Sequence, residues 1–417
     1  MSCNLKKYKI RMENKTKVLL STFGPLHLIK SAEFLSKYVD IEVVQGWIPQ
    51  WWNKWLIGIA SKIIGRDLSK SFRKRIPKAL DGRNHSIAVP EFYLWSGKRL
   101  GIDDIEVKAA TMFGRMTKSF LNDQNVFHVR SGSGQGGAIA KAKSKGMKII
   151  VDHSIAHPAF MEKALRNEYE KNGVSFNLGT DSHFWQLVLK DCEEADRLIV
   201  NSYFVRDTFL EAGYDKDKID VVYLGVREDF QSLKKSYYSD NIFKILYTGS
   251  FGFRKGGEYL LQAMETLDKI DFNYELNIVG GYSSDDVLLS RYKPKHVTFV
   301  GQVPQDELKE YLATSDCYLF PSLCEGCAQS GMEALTAGLP VIATYESGLP
   351  IVDGENGIVI DTANVASVVY AVKRLASDKK LRQSLGTNAA KMMKEQYTWD
   401  IYAKKMCDIY KKIRSAR

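Results

Sequence analysis

The sequence predicts an α/β protein made of two successive domains, each a parallel sheet covered by helices. Three observations carry that expectation. Short apolar runs of strand length alternate with helix-period segments along the chain, the alternation breaks at a polar stretch from Arg227 to Asn241, and it then resumes in the same form. At 417 residues with 45% hydrophobic content, the chain is too long for one ordinary domain and apolar enough to bury two cores.

The first half opens as a βαβ unit. Lys17 to Phe23 is a strand ending at Gly24-Pro25, a helix runs from about Leu26 to Tyr38, and Ile41 to Val44 is a second strand. Strands follow at Val126 to Val129, Lys148 to Val151 and Arg197 to Val200, with helices at Ala138 to Lys145 and Phe204 to Ala212 and a long mixed segment up to Glu194. Val221 to Leu224 closes this half. The second half has strands at Phe243 to Thr248, Glu275 to Val279, Val297 to Val300, Cys317 to Phe320, Val341 to Thr344 and Gly357 to Ile360. Continuous apolar strands with helices between them describe sheets buried on both faces.

Charge and cysteines narrow the classes. The net charge is +10, and it is concentrated: between Trp51 and His85 nine basic residues face only Asp67 and Asp81. Trp47, Trp51, Trp52 and Trp55 open that region, and Leu56, Ile59 and Ile63 follow at helical spacing, so a helix from Trp47 to Ile64 with Lys62, Arg66, Lys70, Arg73, Lys74 and Arg75 beside it could lie on an anionic membrane surface. An ordinary core helix with a solvated basic loop after it is the alternative. No nucleic-acid motif accompanies the charge, so nucleic acid is not an expected partner. The six cysteines show no paired metal-ligand spacing, and Cys324 and Cys327 form a lone Cys-x-x-Cys, so reduced thiols and no metal site are expected. Met1 to Lys17 is polar and lysine-rich without an apolar core, and no segment reaches the length of a membrane span. The expected location is cytoplasmic, peripheral on the inner face of the membrane if the basic helix acts as an anchor.

The densest chemistry lies between Pro321 and Leu335. Glu325 and Glu333 stand eight positions apart across a loop that opens a helix, and the free amides of such a helix start can hold a diphosphate. An acid in a first helical turn also occurs simply because it caps. Upstream, Gly249-Ser250-Phe251-Gly252-Phe253-Arg254-Lys255-Gly256-Gly257 follows the first strand of the second half, with glycines that let the backbone approach a phosphate and two cations that neutralise it.

These residues, with Ala334 and the Gly338-Leu339-Pro340-Val341-Ile342 run, resemble the retaining glycosyltransferases of family 4, the glycosyl transferases group 1, most strongly from about Ile199 to Pro350. The resemblance implies the GT-B fold: two Rossmann-like domains, with parallel sheets facing across a cleft, and a C-terminal helix that crosses back to the N-terminal domain. The domains implied are 1–230 together with 400–417, for the acceptor, and 240–399, for the donor. Trp399-Asp400 before an amphipathic basic helix from Ile401 to Ile413 fits that crossing. The substrates implied are a nucleoside-diphosphate sugar and a glycan or lipid-linked glycan acceptor, with no cofactor and no metal, in glycolipid, capsule or cell-envelope polysaccharide assembly.

By the same resemblance Arg254 and Lys255 bind the diphosphate, with Gly249, Ser250, Ala328, Gln329 and Ser330 around it. Glu333 holds the ribose and Glu325 the donor sugar's hydroxyls. Gln302 and Val303 lie against the base, and Gly24 faces the donor across the cleft. Many relatives carry arginine where this chain has Ser250. Val151-Asp152-His153-Ser154-Ile155-Ala156-His157 ends a strand of the first half and points into the cleft. Either His153 or His157 could orient the transferring sugar or handle the acceptor's proton, with His157 slightly preferred.

Two alternatives remain open at this point. Gly132-Ser133-Gly134-Gln135-Gly136-Gly137 has the Gly-x-Gly-x-x-Gly spacing of a dinucleotide loop, with Asp152 at the distance of a ribose-binding acid, as an NAD-dependent oxidoreductase would require. The other is a non-catalytic GT-B protein that binds a membrane or a partner through its basic helix.

Overall fold

The computed structural model describes residues 15–24, 27–49, 55–64, 75–176, 178–238, 241–283 and 287–415. Two parallel sheets organise them. The first contains β1 (Lys17–Thr22), β2 (Asp40–Gln45), β3 (Asn84–Ser86), β4 (Val126–Arg130), β5 (Lys148–His153), β6 (Arg197–Val200) and β7 (Ile219–Val221), in the order β3-β2-β1-β4-β5-β6-β7. The second contains β8 (Phe243–Thr248), β9 (Tyr274–Val279), β10 (Val297–Gly301), β11 (Cys317–Phe320), β12 (Val341–Thr344) and β13 (Ile358–Ile360), in the order β10-β9-β8-β11-β12-β13. Both orders reverse direction beside their own first strand, between β1 and β4 and between β8 and β11. Such switch points leave a crevice at the carboxyl ends of the strands, where ligands of open α/β sheets bind.

Burial explains why the strands could be read from sequence. In β1 every residue after Lys17 is buried, and β11 and β12 are buried throughout, as expected of strands covered by helices on both faces. The last strand of the first sheet is Ile219–Val221, two residues earlier than the apolar run at Val221 to Leu224 suggests. The sequence gives no warning of β3, or of helices Val89–Arg99, Ile105–Thr117, Pro158–Glu170 and His183–Glu193.

The terminal helix, Trp399–Ser415, packs on the first sheet's side of the molecule. Tyr402, Ala403, Met406, Cys407, Tyr410 and Ile413 form its buried stripe in one core with Leu28, Ile29 and Val126. Tyr410 Oη lies 2.7 Å from His128 Nδ1, and Tyr38 donates to Asp400 at 2.8 Å. The chain thus crosses between domains twice, and the two crossings touch: Val226 N donates to Tyr397 O at 2.9 Å. A Cβ on Gly225 would lie 2.5 Å from the Trp399 backbone, so only glycine permits the approach.

The basic, tryptophan-rich region departs from expectation. Helix Trp55–Ile64 is present, with Trp55 65% and Ile59 44% exposed and Lys62 exposed beside them. Trp47 is buried, because its ring packs against Phe92 and Trp95 at 4.9 and 6.0 Å. Arg75 is also buried, its guanidinium bidentate on Glu91 at 2.7 Å and bonded to Trp47 O at 2.7 Å. Neither residue can therefore face a headgroup layer. Trp51, Trp52, Arg66, Lys70, Arg73 and Lys74 lie outside the described residues.

Candidate active site

The loop after β8 and the loop after β11 meet at the second switch point. Beyond β8 the chain passes through Gly249, at φ 124°, into a single turn at Phe253–Lys255 and then into helix Gly257–Lys269. A Cβ on Gly256, at φ 73°, would strike Pro321 O at 1.8 Å, which fixes the turn against the end of β11. Arg254 O accepts from Leu323 N at 2.9 Å and from Ser322 Oγ at 3.2 Å, so the cationic turn and the acidic loop are sewn together through backbone.

The side chains converge in the same place. Arg254 Nη1 lies 2.7 Å from Glu325 Oε1 and donates to Cys324 O at 2.8 Å; Lys255 Nζ lies 3.5 Å from the same carboxylate oxygen. All three side chains are largely buried. Lys255 Nζ also sits 5.5 Å from the Phe320 ring centroid, and a Cβ on Gly249 would come within 3.1 Å of it. Glycine at 249 leaves that ammonium open to a ligand.

Helix Gln329–Ala337 begins at this point, with Ala328 as its N-cap. Ala328 N is used by Ser347 O, whereas the amides of Gln329, Ser330 and Gly331 have no partner among the described residues. Ser330 Oγ ties the helix start to β8 through Thr248 O at 3.0 Å and to β11 through Tyr318 Oη at 2.8 Å. Free amides and two cations therefore converge on the space in front of Gly249, an arrangement suited to a diphosphate. Ser250 is exposed beside it.

Because the helix starts at Gln329, Glu333 lies one turn inside it and not in the first turn. Its carboxyl has no hydrogen-bond or ion-pair partner among the described residues, and burial pushes its pKa up to about 7, against a lowering influence from Arg227. Gln302 and Val303 follow β10 on the same rim. Gly301 O accepts from Gly280 N at 2.8 Å, and Gln302 is exposed while Val303 packs on the core.

The first domain contributes the opposing wall. Ser202 Oγ donates to Gly326 O, and a Cβ on Gly326 would strike Ser154 O at 1.9 Å, so the strand end carrying His153 abuts the loop carrying Glu325. A cavity of about 310 Å³ opens at the first switch point, with Gly24 and Phe23 after β1, Ser131 after β4 and His153 at the end of β5 on its walls. His153 is 1% exposed; its Nδ1 lies 2.9 Å from Ser131 Oγ, and its Nε2 has no hydrogen-bond partner among the described residues. Burial drives its pKa down to about 3, so the ring is neutral.

His157 has a different place. It is the N-cap of helix Pro158–Glu170, with Nδ1 accepting from Ala159 N at 3.2 Å and the ring wedged between Phe209 and Tyr214. Its pKa falls to about 4 through burial. The two histidines are thus separated by role, one in the cavity and one capping a helix.

The Gly132 to Gly137 loop is already occupied. Gly132 N and Gly134 N both donate to Asp191 Oδ2 at 2.8 Å, and Gln135 Nε2 donates to Asp191 Oδ1 at 2.8 Å. The amides that would hold a pyrophosphate hold a buried carboxylate of the chain itself. Asp152, the ribose acid of that reading, is consumed by His27 at 3.0 Å and Arg130 at 2.9 Å. Although burial works against ionisation, those two partners hold its carboxyl well below the usual range. The dinucleotide reading fails on both counts. Among the described residues no three His, Cys, Asp or Glu side chains are grouped to hold a metal, and Cys192, Cys317, Cys324, Cys327 and Cys407 are free thiols.

Comparison with known proteins bears on the second domain most directly. Residues 229–392 match the family described as glycosyl transferases group 1, beginning and ending later than the Ile199 to Pro350 stretch singled out by sequence. The chain is similar to an uncharacterized glycosyltransferase of Methanocaldococcus jannaschii, 32% identical over 217 residues, which cover 47% of this chain and 54% of that protein. It is 29% identical over 177 residues to the GDP-mannose-dependent alpha-(1-6)-phosphatidylinositol monomannoside mannosyltransferase of Mycobacterium tuberculosis, covering 39% of this chain and 46% of that protein. The chain spans about half the length of the curated relatives it matches. Sucrose-phosphate synthase from Thermosynechococcus elongatus superposes with a TM-score of 0.68 over 97% of this chain and 100% of that chain, at 17% identity. HepE of Anabaena in complex with UDP does so with a TM-score of 0.59 over 95% and 100%, at 13% identity. At such identities the structures speak for the fold alone. Residues 229–392 are thus similar to the glycosyl transferases group 1 family, on a chain with the GT-B fold.

Proposed function

We propose that the protein is a retaining glycosyltransferase that moves a sugar from a nucleoside diphosphate to a hydroxyl acceptor without a metal ion. The observation that carries this reading is the meeting of Arg254, Lys255 and Glu325 with the free amides of Gln329 to Gly331 at the second switch point. Negative charge grows on the departing phosphate in such a transfer, and fixed cations and amides there act where charge develops. The cationic pair supplies the stabilisation that a divalent ion supplies in other phosphate sites.

In this reading Glu333 takes the ribose hydroxyls, Glu325 the donor sugar, and Gln302 with Val303 the base. Gly24 and His153 face them from the first domain, where the cavity takes the acceptor. A solved GT-B neighbour carries UDP, another carries UDP and alpha-GlcNAc-glycerol, and a curated relative is named for GDP-mannose, which together support a nucleotide-sugar donor. Glycolipid, capsule or envelope polysaccharide assembly is the setting we propose. No helix among the described residues is long and apolar enough to cross a membrane, so any contact with a bilayer would be through the surface, with helix Trp55–Ile64 as the candidate.

A thermal-shift comparison of UDP, GDP, ADP and NAD tests the reading. Binding to the folded state alone raises stability by RT ln(1 + [L]/Kd), about 2.7 kcal/mol at a hundredfold excess over Kd. One nucleoside diphosphate should raise Tm and NAD should not. Stabilisation by NAD alone would overturn the assignment.

A further inference from the structure

The cavity of the first domain has walls that do not suit a bare sugar. We propose that the acceptor is an amphiphile whose apolar chain or ring occupies this cavity beside the hydroxyl that reacts; the proposal rests on the transfer reading above. Leu94, Ala110, Ile155, Phe184, Trp185 and Val188 supply an apolar wall from three helices and the loop after β5, and Glu106, Arg130 and Ser131 supply the polar part of the lining. A sugar ring carries a hydroxyl on nearly every carbon, and each one moved from water onto such a wall would lose its hydrogen bonds. An alkyl or aryl group would gain by the same move.

Among the described residues that line the cavity, one has a buried side-chain polar atom without a partner, and it marks where the polar end goes. His153 borders the cavity, its buried Nε2 has no partner among the described residues, and Ser131 holds the other ring nitrogen. A hydroxyl reaching Nε2 would satisfy it. One residue further on, Ser154 O abuts Gly326, the neighbour of Glu325, so a hydroxyl at His153 stands next to the donor loop.

The outer wall leads toward the exposed apolar helix. Leu94 lies on helix Val89–Arg99, whose Phe92 and Trp95 pack on Trp47, and Trp47 in turn packs against Ile57 of helix Trp55–Ile64. Phe92, Trp55 and Ile59 are exposed, and so is Phe184, at 37%, on the cavity itself. An acceptor carried in a lipid layer would meet apolar surface along that path.

The test is calorimetric titration of the full chain, with UDP or whichever nucleoside diphosphate binds, by methyl, butyl and hexyl β-glucosides kept below micellar concentrations. Each methylene that enters the cavity should tighten binding roughly fourfold, the factor equivalent to about 0.8 kcal/mol. Phe184→Ser, at an exposed position where the fold is not at risk, should flatten that dependence while the nucleotide's thermal shift reports an intact protein. Equal affinity across the series, or a dependence that Phe184→Ser leaves unchanged, would overturn the proposal with the transfer reading intact. Binding of the glucoside series without binding of any nucleoside diphosphate would overturn both, because the cavity would then not serve an acceptor.

Discussion

Glu325 places one carboxylate oxygen against two cations, and the distances divide their work. Arg254, at 2.7 Å and anchored again on Cys324 O, is held in place; Lys255, at 3.5 Å, keeps an ammonium free to swing to a phosphate. Lys255→Ala should therefore lower kcat roughly 100-fold or more, the scale of losing one preorganised charge-stabilising group, with Tm little changed. Turnover near that of the wild type would remove Lys255 from the site. Glu333 gives a pH signature. Its folded pKa, raised to about 7 by burial, means that the carboxyl is protonated below that pH and becomes a full hydrogen-bond acceptor, as the ribose role proposed for it requires, only above it. Donor kcat/KM should rise from pH 6 to pH 8, and Glu333→Gln should abolish the rise. A profile that keeps its shape in the variant would assign the titration to another group. His153 and His157 carry the lesson of what one residue cannot disclose. They have the same side chain four positions apart, yet one faces a cavity and the other caps a helix, because the cap depends on Pro158 and the packing of Phe209, and the cavity on Ser131.

At the scale of elements, most strands were legible because buried parallel strands are written as uninterrupted apolar runs, which the half-buried β3 is not, and the loops proposed for the donor were legible because Arg254-Lys255 and Glu325 to Glu333 are local patterns. The three helices that line the cavity, and helix Pro158–Glu170, were not. Helix Val89–Arg99, with sequence VPEFYLWSGKR, mixes apolar, polar and charged side chains with little periodicity, and its register is set by Arg75 reaching back to Glu91. The glycine loop at 132–137 misleads for a related reason: the spacing is that of a phosphate loop, and the carboxylate that fills it comes from 191, far along the chain. Asp191→Ala should leave the amides of Gly132 and Gly134 buried without a partner, whereas Gln135 Nε2 keeps Glu194 Oε1, and cost about 2 kcal/mol or more in urea unfolding, at 1 to 3 kcal/mol for each unsatisfied group, without changing the thermal shift by nucleoside diphosphate. Burial pushes the Asp191 carboxyl up to about 6, above its value in the unfolded chain. The folded state therefore binds the extra proton between about pH 4 and 6, and the stability this group contributes declines as pH rises through 6. Unchanged stability in Asp191→Ala would mean that the loop is held by its packing on Ile105–Thr117 alone.

For the whole molecule, two switch points are set face to face, with the residues proposed to hold the donor on one and the His153 cavity on the other. The terminal helix and the paired crossings at Val226 and Tyr397 hold the two halves in that relation. Membrane contact is the remaining question at this scale, and the structure changes which residues can test it. Arg75→Glu would place a carboxylate against Glu91 in a buried site, at a cost of about 3 to 5 kcal/mol for the broken pair, so loss of binding in that variant would report unfolding. Trp55, Ile59 and Lys62 are exposed together on helix Trp55–Ile64 and can be changed without touching the core. If this helix lies in a headgroup layer, wild-type protein should bind anionic vesicles, and binding should weaken as salt is raised from low to physiological levels because exposed charges are screened. Trp55→Ser with Ile59→Ser and Lys62→Glu should release the protein from vesicles and leave the thermal shift by nucleoside diphosphate unchanged, since the nucleotide site proposed above lies on the other domain. Equal vesicle binding by wild type and variant would assign the contact elsewhere. If neither binds, an amphiphilic acceptor would have to reach the cavity from solution.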